Sequence, residues 1–320
     1  MEALTIVHNA RSKSGARCLR RCLELIEAGR STLDARITLV SIDEMGSLAE
    51  IPSRLIVLGG DGSVNAAAQW LHDRGAPCPL AIVPAGTGNN LARGLGIPRD
   101  TREALALALR GSRARRVDGV LFRWDGTAPR IMIQTSALGF PARIAARYDE
   151  IRRNPLARAL VAPAGPYVYR ILALSGLVTQ KRRELRGDAL PVVRCTYPGG
   201  EIEDRLFAIF LGNERSLGGN FLPCPRASVD DGAMDLCLVR AGTGASYLDL
   251  FRRIARGDHL SLGRTVEYWQ TTGPLEIRIS EASPLLIDGD IKGNEALYRV
   301  EMLPGRFEII VPDGEAAPVL

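Results

Sequence analysis

Lysine is almost missing from this chain. Of its 41 basic residues only Lys13, Lys181 and Lys292 are lysines, which leaves 38 arginines. None lies near the two glycine-rich turns described below, and GxxxxGK[ST] occurs nowhere, so a Walker-type phosphate loop is excluded. Histidine is as scarce, with His8, His72 and His259 alone. The six cysteines (Cys18, Cys22, Cys78, Cys195, Cys224, Cys237) form no CxxC pair, so a zinc site is not expected. Met1–Asn9 has no signal-peptide character, and the cysteines are expected to be reduced, mostly interior thiols of a cytosolic protein. No repeat and no low-complexity tail is present. Long apolar runs are missing too. The best membrane candidate, 155-PLARALVAPAGPYVYRILALSGLVTQ-180, is interrupted by Arg158, Arg170 and three prolines, and its longest charge-free run is Ala159–Tyr169. A spanning helix needs ~20 apolar residues. Arg152 and Arg153 precede this stretch and 181-KRR-183 follows it. It reads as a buried helix between domains, or as a helix resting on an anionic membrane surface.

What is present is ordinary for a folded soluble protein: 320 residues, 46% apolar and 24% charged, enough for two domains. The net charge of +5 and a pI of about 9.0 favour anionic partners. The first third alternates strand and helix. Apolar strands at Ala3–His8, Arg36–Ile42, Arg54–Leu58 and Leu80–Val83 are separated by a helix closed by Gly29 and by helices starting at Ser63, Asn89 and Thr101. Such a pattern implies a parallel sheet covered on both faces, in three layers. Beyond about Val117 the pattern becomes β-rich. Strands are expected at Val120–Trp124, Arg130–Thr135, Val192–Tyr197, Leu206–Leu211, Met234–Val239, Leu275–Ile279, Leu285–Ile287, Leu297–Met302 and Phe307–Val311, with an apolar helix near 160–178 as the main helical element. The expected organisation is an α/β nucleotide-binding domain over residues 1–122, completed by 303–320, and a β-rich, sandwich-like domain over 123–302.

Two glycine-rich turns carry the chemistry. In 58-LGGDGSVN-65 the glycines let backbone N–H groups approach a phosphate, and Ser63 is a natural N-cap for the helix that follows. Asp61 would repel that phosphate unless a cation stands between them, which suits Mg²⁺ held directly or through water. The second turn, 84-PAGTGNNLARGLGIP-98, follows the strand 80-LAIV-83 and leads into a short helix. Two such turns converge at the carboxyl edge of a parallel sheet, where α/β proteins bind nucleotides.

GGDGS together with PAGTGNNLAR resembles the diacylglycerol kinase catalytic family, the soluble bacterial lipid kinases related to sphingosine and ceramide kinases. The resemblance continues along nearly the whole chain. It includes 8-HNARSKSG-15, with Ala10 where the family has proline, as well as 137-ALGFPA-142, 212-GNERSLGGNFLPCPRASVDDGAMDLCLV-239 and 285-LLIDGDI-291. The family likeness implies ATP bound between the two domains. It places Asn9, Gly59, Gly60, Asp61, Gly62, Ser63, Val64, Asn65, Gly86 and Thr87 at nucleotide-contacting positions. It assigns Asp61 and Asp118 to a water-held catalytic Mg²⁺, and Ser228, Asp231 and Ala233 to a second magnesium site. At 288-DGD-290 the family's Asp-Gly-Glu supplies the general base, so Asp290 is the candidate base, supported by Asp288, with both carboxylates pointing into one cleft. Asp290 is one methylene shorter than the family glutamate, and Asn90 stands where many members have aspartate.

The function these residues imply is an ATP- and Mg²⁺-dependent lipid kinase phosphorylating a hydroxyl of a diacylglycerol-like or sphingoid lipid. A kinase of a soluble acceptor, like NAD kinase or phosphofructokinase, and a nucleotide-binding regulator without turnover are the alternatives. Expected partners are a lipid at a membrane surface, with peripheral contact at the inner membrane face, and a second copy of the chain. Nucleic acid is not expected.

Overall fold

The computed structural model describes residues 2–9, 12–29, 34–161, 168–186, 190–218, 221–240 and 247–314. Ala10, residues 219–220 of the long motif, residues 162–167 of the apolar stretch and residues 315–320 lie outside them. The chain divides into two compact units. The first is Met1–Gly119 with Val229–Gly232 and Leu303–Leu320; the second is Val120–Ser228 with Ala233–Met302.

The first unit runs β1 (Glu2–His8), α1 (Lys13–Ala28), β2 (Ala35–Ser41), β3 (Arg54–Gly59), α2 (Asp61–Arg74), β4 (Leu80–Pro84), α3 (Asn90–Gly94), α4 (Thr101–Arg110) and the start of β5 (Ala114–Arg123). Its strands are parallel, in the order β2, β1, β3, β4 and then the chain's closing strand, which joins through Ile309 opposite Leu80. Leu4, Ile6, Ile56, Leu58, Ala81 and Val83 face one way, against Cys18 and Cys22 of α1 and Ala104, Leu105 and Ala108 of α4. Leu55, Val57 and Ile82 are equally buried on alternate positions. Both faces are therefore covered, as continuous apolar strands require. Caps fix the ends locally: Ser12 accepts from the Gly15 N–H to start α1, and Asp100 accepts from Arg102 and Glu103 to start α4.

The second unit continues through β6 (Arg130–Met132), β7 (Thr135–Gly139), α5 (Phe140–Arg153), α6 (Pro155–Val161), α7 (Val168–Leu185), β8 (Val192–Tyr197), β9 (Gly200–Gly212), β10 (Met234–Arg240), α8 (Tyr247–Arg256), β11 (Val266–Thr271), β12 (Leu275–Ile287) and β13 (Asp290–Ile310), whose end is the closing strand of the first unit. The pairings of β7 to β12 and of β12 with β13 are antiparallel. Alternation along β9 and β10 divides two cores. Leu206, Ile209, Leu211, Met234, Leu236 and Leu238 enter one with Trp124 and Tyr298. Phe207, Phe210, Cys237 and Val239 enter the other, under α5, α7 and α8. All six cysteines are free and buried.

Several local expectations are corrected. The helix after the first glycine turn begins at Asp61 with Gly60 as its N-cap. Ser63 therefore sits buried inside the first turn and caps nothing by its side chain. The strand expected over Arg130–Thr135 is broken at Ile133–Gln134, because the backbone N–H groups there turn toward a carboxylate described below. The two pairs of short strands near the C-terminus are the long strands β12 and β13, with irregular register between Arg278 and Ser283. Helices α5 and α8 and strand β11 were not expected, so α7 is one of several helical elements. Nor is α7 a buried helix. It packs on α5, where a Cβ at Gly176 would lie 2.6 Å from Ile144 Cδ1, and it leaves its other face open. No described helix is long and apolar enough to cross a membrane.

Candidate active site

In the first unit, β3 and β4 are adjacent parallel strands, so the turns that follow them lie side by side. They touch backbone to backbone. A Cβ added at Gly86 would lie 2.5 Å from the Gly60 Cα, and one at Gly60 would lie 2.9 Å from the Gly86 Cα. Only glycine at both positions permits that approach. The second turn is braced from within by Asn89, whose backbone is left-handed at φ 49°. Its side-chain Nδ2 donates to the Gly86 carbonyl at 2.8 Å and its Oδ1 accepts from the Gly86 N–H at 3.0 Å.

Asp61 opens α2 and faces the second turn. Its Oδ1 accepts from the Leu91 N–H at 3.4 Å, and a Cβ at Gly88 would lie 2.8 Å from its Oδ2. Burial raises its pKa, opposed by the backbone N–H groups of Leu91, Asn90 and Asn89 and by the Arg93 charge. Asn90 is buried and accepts from Arg93 Nη2 at 3.0 Å. Gly59, Gly62, Val64 and Asn65 belong to the same turn and first helical turn, Gly86 and Thr87 to the second. Asn9 follows β1, with its N–H donating to the Leu58 carbonyl at 3.4 Å, so it lies beside the end of β3.

Asp118 lies in β5 and is 2% exposed. It ties together three segments that are remote in sequence. Its Oδ2 accepts from the Gly232 N–H at 2.8 Å, its Oδ1 from the Gly305 N–H at 2.6 Å, and its own N–H donates to the Val229 carbonyl at 2.7 Å. Burial raises its pKa, helped by the carboxylates of Asp231 and Asp230 and opposed by the two N–H donors. Asp230 is paired with Arg115 at 2.6 Å, while Asp231 is exposed. Ser228 and Ala233 flank this segment and belong to the second unit.

Among the described residues no three His, Cys, Asp or Glu side chains come together to hold a metal. A protein-only metal cage is therefore not what these residues form. The donor set does fit Mg²⁺, which keeps several waters and takes one or two carboxylates plus phosphate oxygens. Two carboxylates whose burial disfavours their charge, Asp61 and Asp118, are suited to a nearby cation that restores it.

In the second unit the two acids of 288-DGD-290 have different environments. Asp288 is 8% exposed and left-handed at φ 47°. Its Oδ2 accepts from the Ile133 N–H at 2.9 Å and its Oδ1 from the Gln134 and Thr135 N–H groups at 3.0 Å each. Its own N–H donates to the Thr135 carbonyl. The expectation that both carboxylates point into one cleft is thus corrected, because the Asp288 oxygens are engaged by the chain break between β6 and β7. Asp290 is 57% exposed at its side chain and pairs with Lys292 at 3.1 Å. Lys292 was missed in the sequence, although its spacing of two along a strand puts it on the same face as Asp290.

Around the same break the GNERS stretch is wrapped tightly. Asn213 and Glu214 donate backbone N–H groups to the Gln134 carbonyl at 2.8 and 2.9 Å, and Asn213 Nδ2 donates to the Ile133 carbonyl at 2.9 Å. Gln134 Nε2 and Ser136 Oγ are buried there without a hydrogen-bond partner.

Comparison with known proteins decides the family. Residues 3–121 match the diacylglycerol kinase catalytic domain, and residues 142–311 match the YegS C-terminal NAD kinase beta sandwich-like domain. A diacylglycerol kinase of Mycobacterium tuberculosis is 32% identical over 77% of this chain and 73% of its own length. The chain belongs to the diacylglycerol kinase family. It is accordingly a kinase, a phosphotransferase. A probable YegS-like lipid kinase of Chromohalobacter salexigens is 31% identical over 82% of this chain and 78% of its own. Among solved structures, a diacylglycerol kinase from Bacillus anthracis str. Sterne superposes with a TM-score of 0.64 at 20% identity, covering 98% of this chain and 97% of that one. At that identity the likeness speaks for the fold of this diacylglycerol kinase relative and no further.

Proposed function

We propose that this kinase transfers the γ-phosphoryl group of ATP, with Mg²⁺, to a hydroxyl of a diacylglycerol-like or sphingoid lipid. The observation that carries the reading is the Gly60–Gly86 approach with Asp61 facing the second turn. That geometry offers backbone N–H groups to phosphate oxygens and one acid to a phosphate-bound cation. Asn9, Gly59–Asn65, Gly86 and Thr87 hold the nucleotide, and Asp61, Asp118 and Asp231 orient the hydrated metal, with Ser228 and Ala233 alongside. When bound, Mg²⁺ neutralises the charge on the transferring phosphate.

Asp290 takes the proton of the acceptor hydroxyl as its oxygen bonds to the γ-phosphorus and the bond to the bridging oxygen breaks, releasing ADP. Phosphoryl transfer asks mostly for positioning and charge neutralisation, so an exposed carboxylate suffices as base. Asp288 is a positioning residue that fixes the turn carrying Asp290. The enzyme works in the cytoplasm, at the inner membrane face.

Radiolabelled ATP offered with mixed lipid vesicles tests this. Label in the lipid phase that needs Mg²⁺ supports it. Label in a soluble acceptor such as NAD, or none with any acceptor, would replace it with the soluble-acceptor or the regulator reading.

A further inference from the structure

Of the eight exposed large hydrophobics among the described residues, five lie between 156 and 178: Leu156, Tyr169, Ile171, Leu174 and Val178. Leu156 of α6 is 78% exposed, and Ile171, Leu174 and Val178 of α7 are 53%, 50% and 52% exposed. A soluble surface tolerates such residues singly, whereas a cluster marks a site of contact. Lys181 and Arg182 are exposed one turn further on. At about 100° per residue, positions 171, 174, 178, 181 and 182 fall within one arc of about 100°. The opposite side is buried at Val168, Leu172, Leu177 and Gln180, held against α5 by the contact at Gly176. The helix thus has one face for its own unit and an apolar, basic face for something else.

Arginines lie nearby on α5 and α6, one of them, Arg152, paired with Asp149 at 3.6 Å. At the N-terminal end, the Tyr169 ring stands edge-on to Tyr148, 6.0 Å between centroids. Arg152 of α5 lies 5.9 Å over the same Tyr148 ring, with Arg153 exposed beside it in sequence. Arg158 of α6 is near Leu156 in sequence, and Arg186 is exposed just beyond the C-terminal end of α7. No aspartate or glutamate occurs between Ile151 and Arg183. Exposed apolar side chains followed one turn on by two cations on the same helix face match the chemistry of an anionic bilayer interface.

We propose that the Ile171–Leu174–Val178 face of α7 inserts shallowly into an anionic membrane surface while Lys181 and Arg182 on the same face contact the headgroups. The proposal rests on the lipid-kinase reading for its purpose but not for its measurement. Docking of this kind would bring the enzyme to an acceptor that never leaves the bilayer.

The test uses the full chain without ATP. Flotation with phosphatidylcholine vesicles, with and without phosphatidylglycerol, is compared for the wild type, Ile171→Ser/Leu174→Ser/Val178→Ser and Lys181→Glu/Arg182→Glu. Wild type should float with anionic vesicles only, and each variant should lose about tenfold or more in affinity. Val178→Trp should add blue-shifted emission that brominated lipid quenches. Equal thermal melting confirms that the variants fold. Equal flotation of the triple variant and wild type would overturn the proposal, and so would added emission in Val178→Trp that brominated lipid leaves unquenched. A triple variant that alters only the oligomeric state would overturn it too, since the face would then meet a second copy of the chain. Phosphorylation of a short-chain diacylglycerol below its micellar concentration separates the two readings. Variants that keep this soluble activity but lose it on vesicles support docking. Vesicle binding that depends on α7 without any lipid phosphorylation would leave the docking face standing and sink the lipid-kinase reading.

Discussion

Replacing Asp288 by asparagine should damage the fold more than the chemistry. Asparagine keeps one carbonyl oxygen and tolerates the left-handed backbone at φ 47°. It puts an NH₂ where one carboxylate oxygen was. With the remaining oxygen serving Gln134 and Thr135, the Ile133 N–H faces a donor. An orphaned buried N–H costs about 1–3 kcal/mol, and the two surviving bonds lose their charged acceptor. The sum is roughly 3 kcal/mol. For a unit of this size each kcal/mol moves the midpoint by about 2–4 °C, so the melting temperature should fall by roughly 6–12 °C. Amide exchange should quicken at Ile133, Gln134 and Thr135 first. Assayed well below the midpoint, the variant should keep much of its phosphoryl transfer. Asp290→Asn is the counterpart. It removes one half-exposed pairing with Lys292, worth about 1 kcal/mol at most, yet should abolish most transfer. A variant of Asp288 that melts like wild type and is as inactive as Asp290→Asn would refute this division of roles.

Asp61→Asn should lower transfer roughly 100- to 1,000-fold and reduce the rise in melting temperature expected of the wild type with Mg²⁺ and ATP; comparable turnover at saturating Mg²⁺ would remove Asp61 from metal handling. Because burial raises the pKa of Asp61 and Asp118, their contribution to stability is full at low pH and is lost as pH rises from 3.8 through the raised values. Urea melts without divalent ions should show that decline, less steeply in Asp61→Asn. Gly86→Ala forces a Cβ to 2.5 Å from the Gly60 Cα, and should cost about 1–3 kcal/mol and weaken ATP binding in a calorimetric titration; unchanged affinity would refute the role of that contact. Cys78, Cys195 and Cys237, with thiol pKa values pushed up by burial to about 11, 12 and 12, should resist an aromatic disulfide reagent at mildly alkaline pH until the protein unfolds.

What the sequence made legible was the part written locally. Parallel strands declare themselves in runs such as 54-RLIVLG-59 and 80-LAIVP-84, which are apolar at nearly every position because both sheet faces are covered. The glycines at 60 and 86 declare a turn, and their mutual approach follows from β3 and β4 being neighbours. The helix start at Asp61 was misplaced by two residues because Ser63 is the better capping side chain, whereas Gly60 offers only its carbonyl, which accepts from Ser63 and Val64. Helix α5 was hidden because it springs from Gly139 at φ 77°, inside a segment that reads as a glycine turn.

Other features are held by partners far along the chain, and no local pattern carries them. Val229–Gly232 joins the first unit through bonds from Asp118, more than a hundred residues away. The pair in 288-DGD-290 shows the limit most clearly. In sequence the two aspartates are symmetric about one glycine, and either fits a base. The fold separates them by giving Asp288 three N–H donors from residues 153 to 155 positions upstream and Asp290 only a lysine two residues on. A carboxylate whose two oxygens already accept from three backbone N–H groups would have to give up one of those bonds to meet an acceptor hydroxyl. One with a single exposed ion pair can exchange that partner for an acceptor hydroxyl at little cost. On the proposed mechanism, number of donors, rather than residue type, is what favours Asp290 over Asp288 as the base.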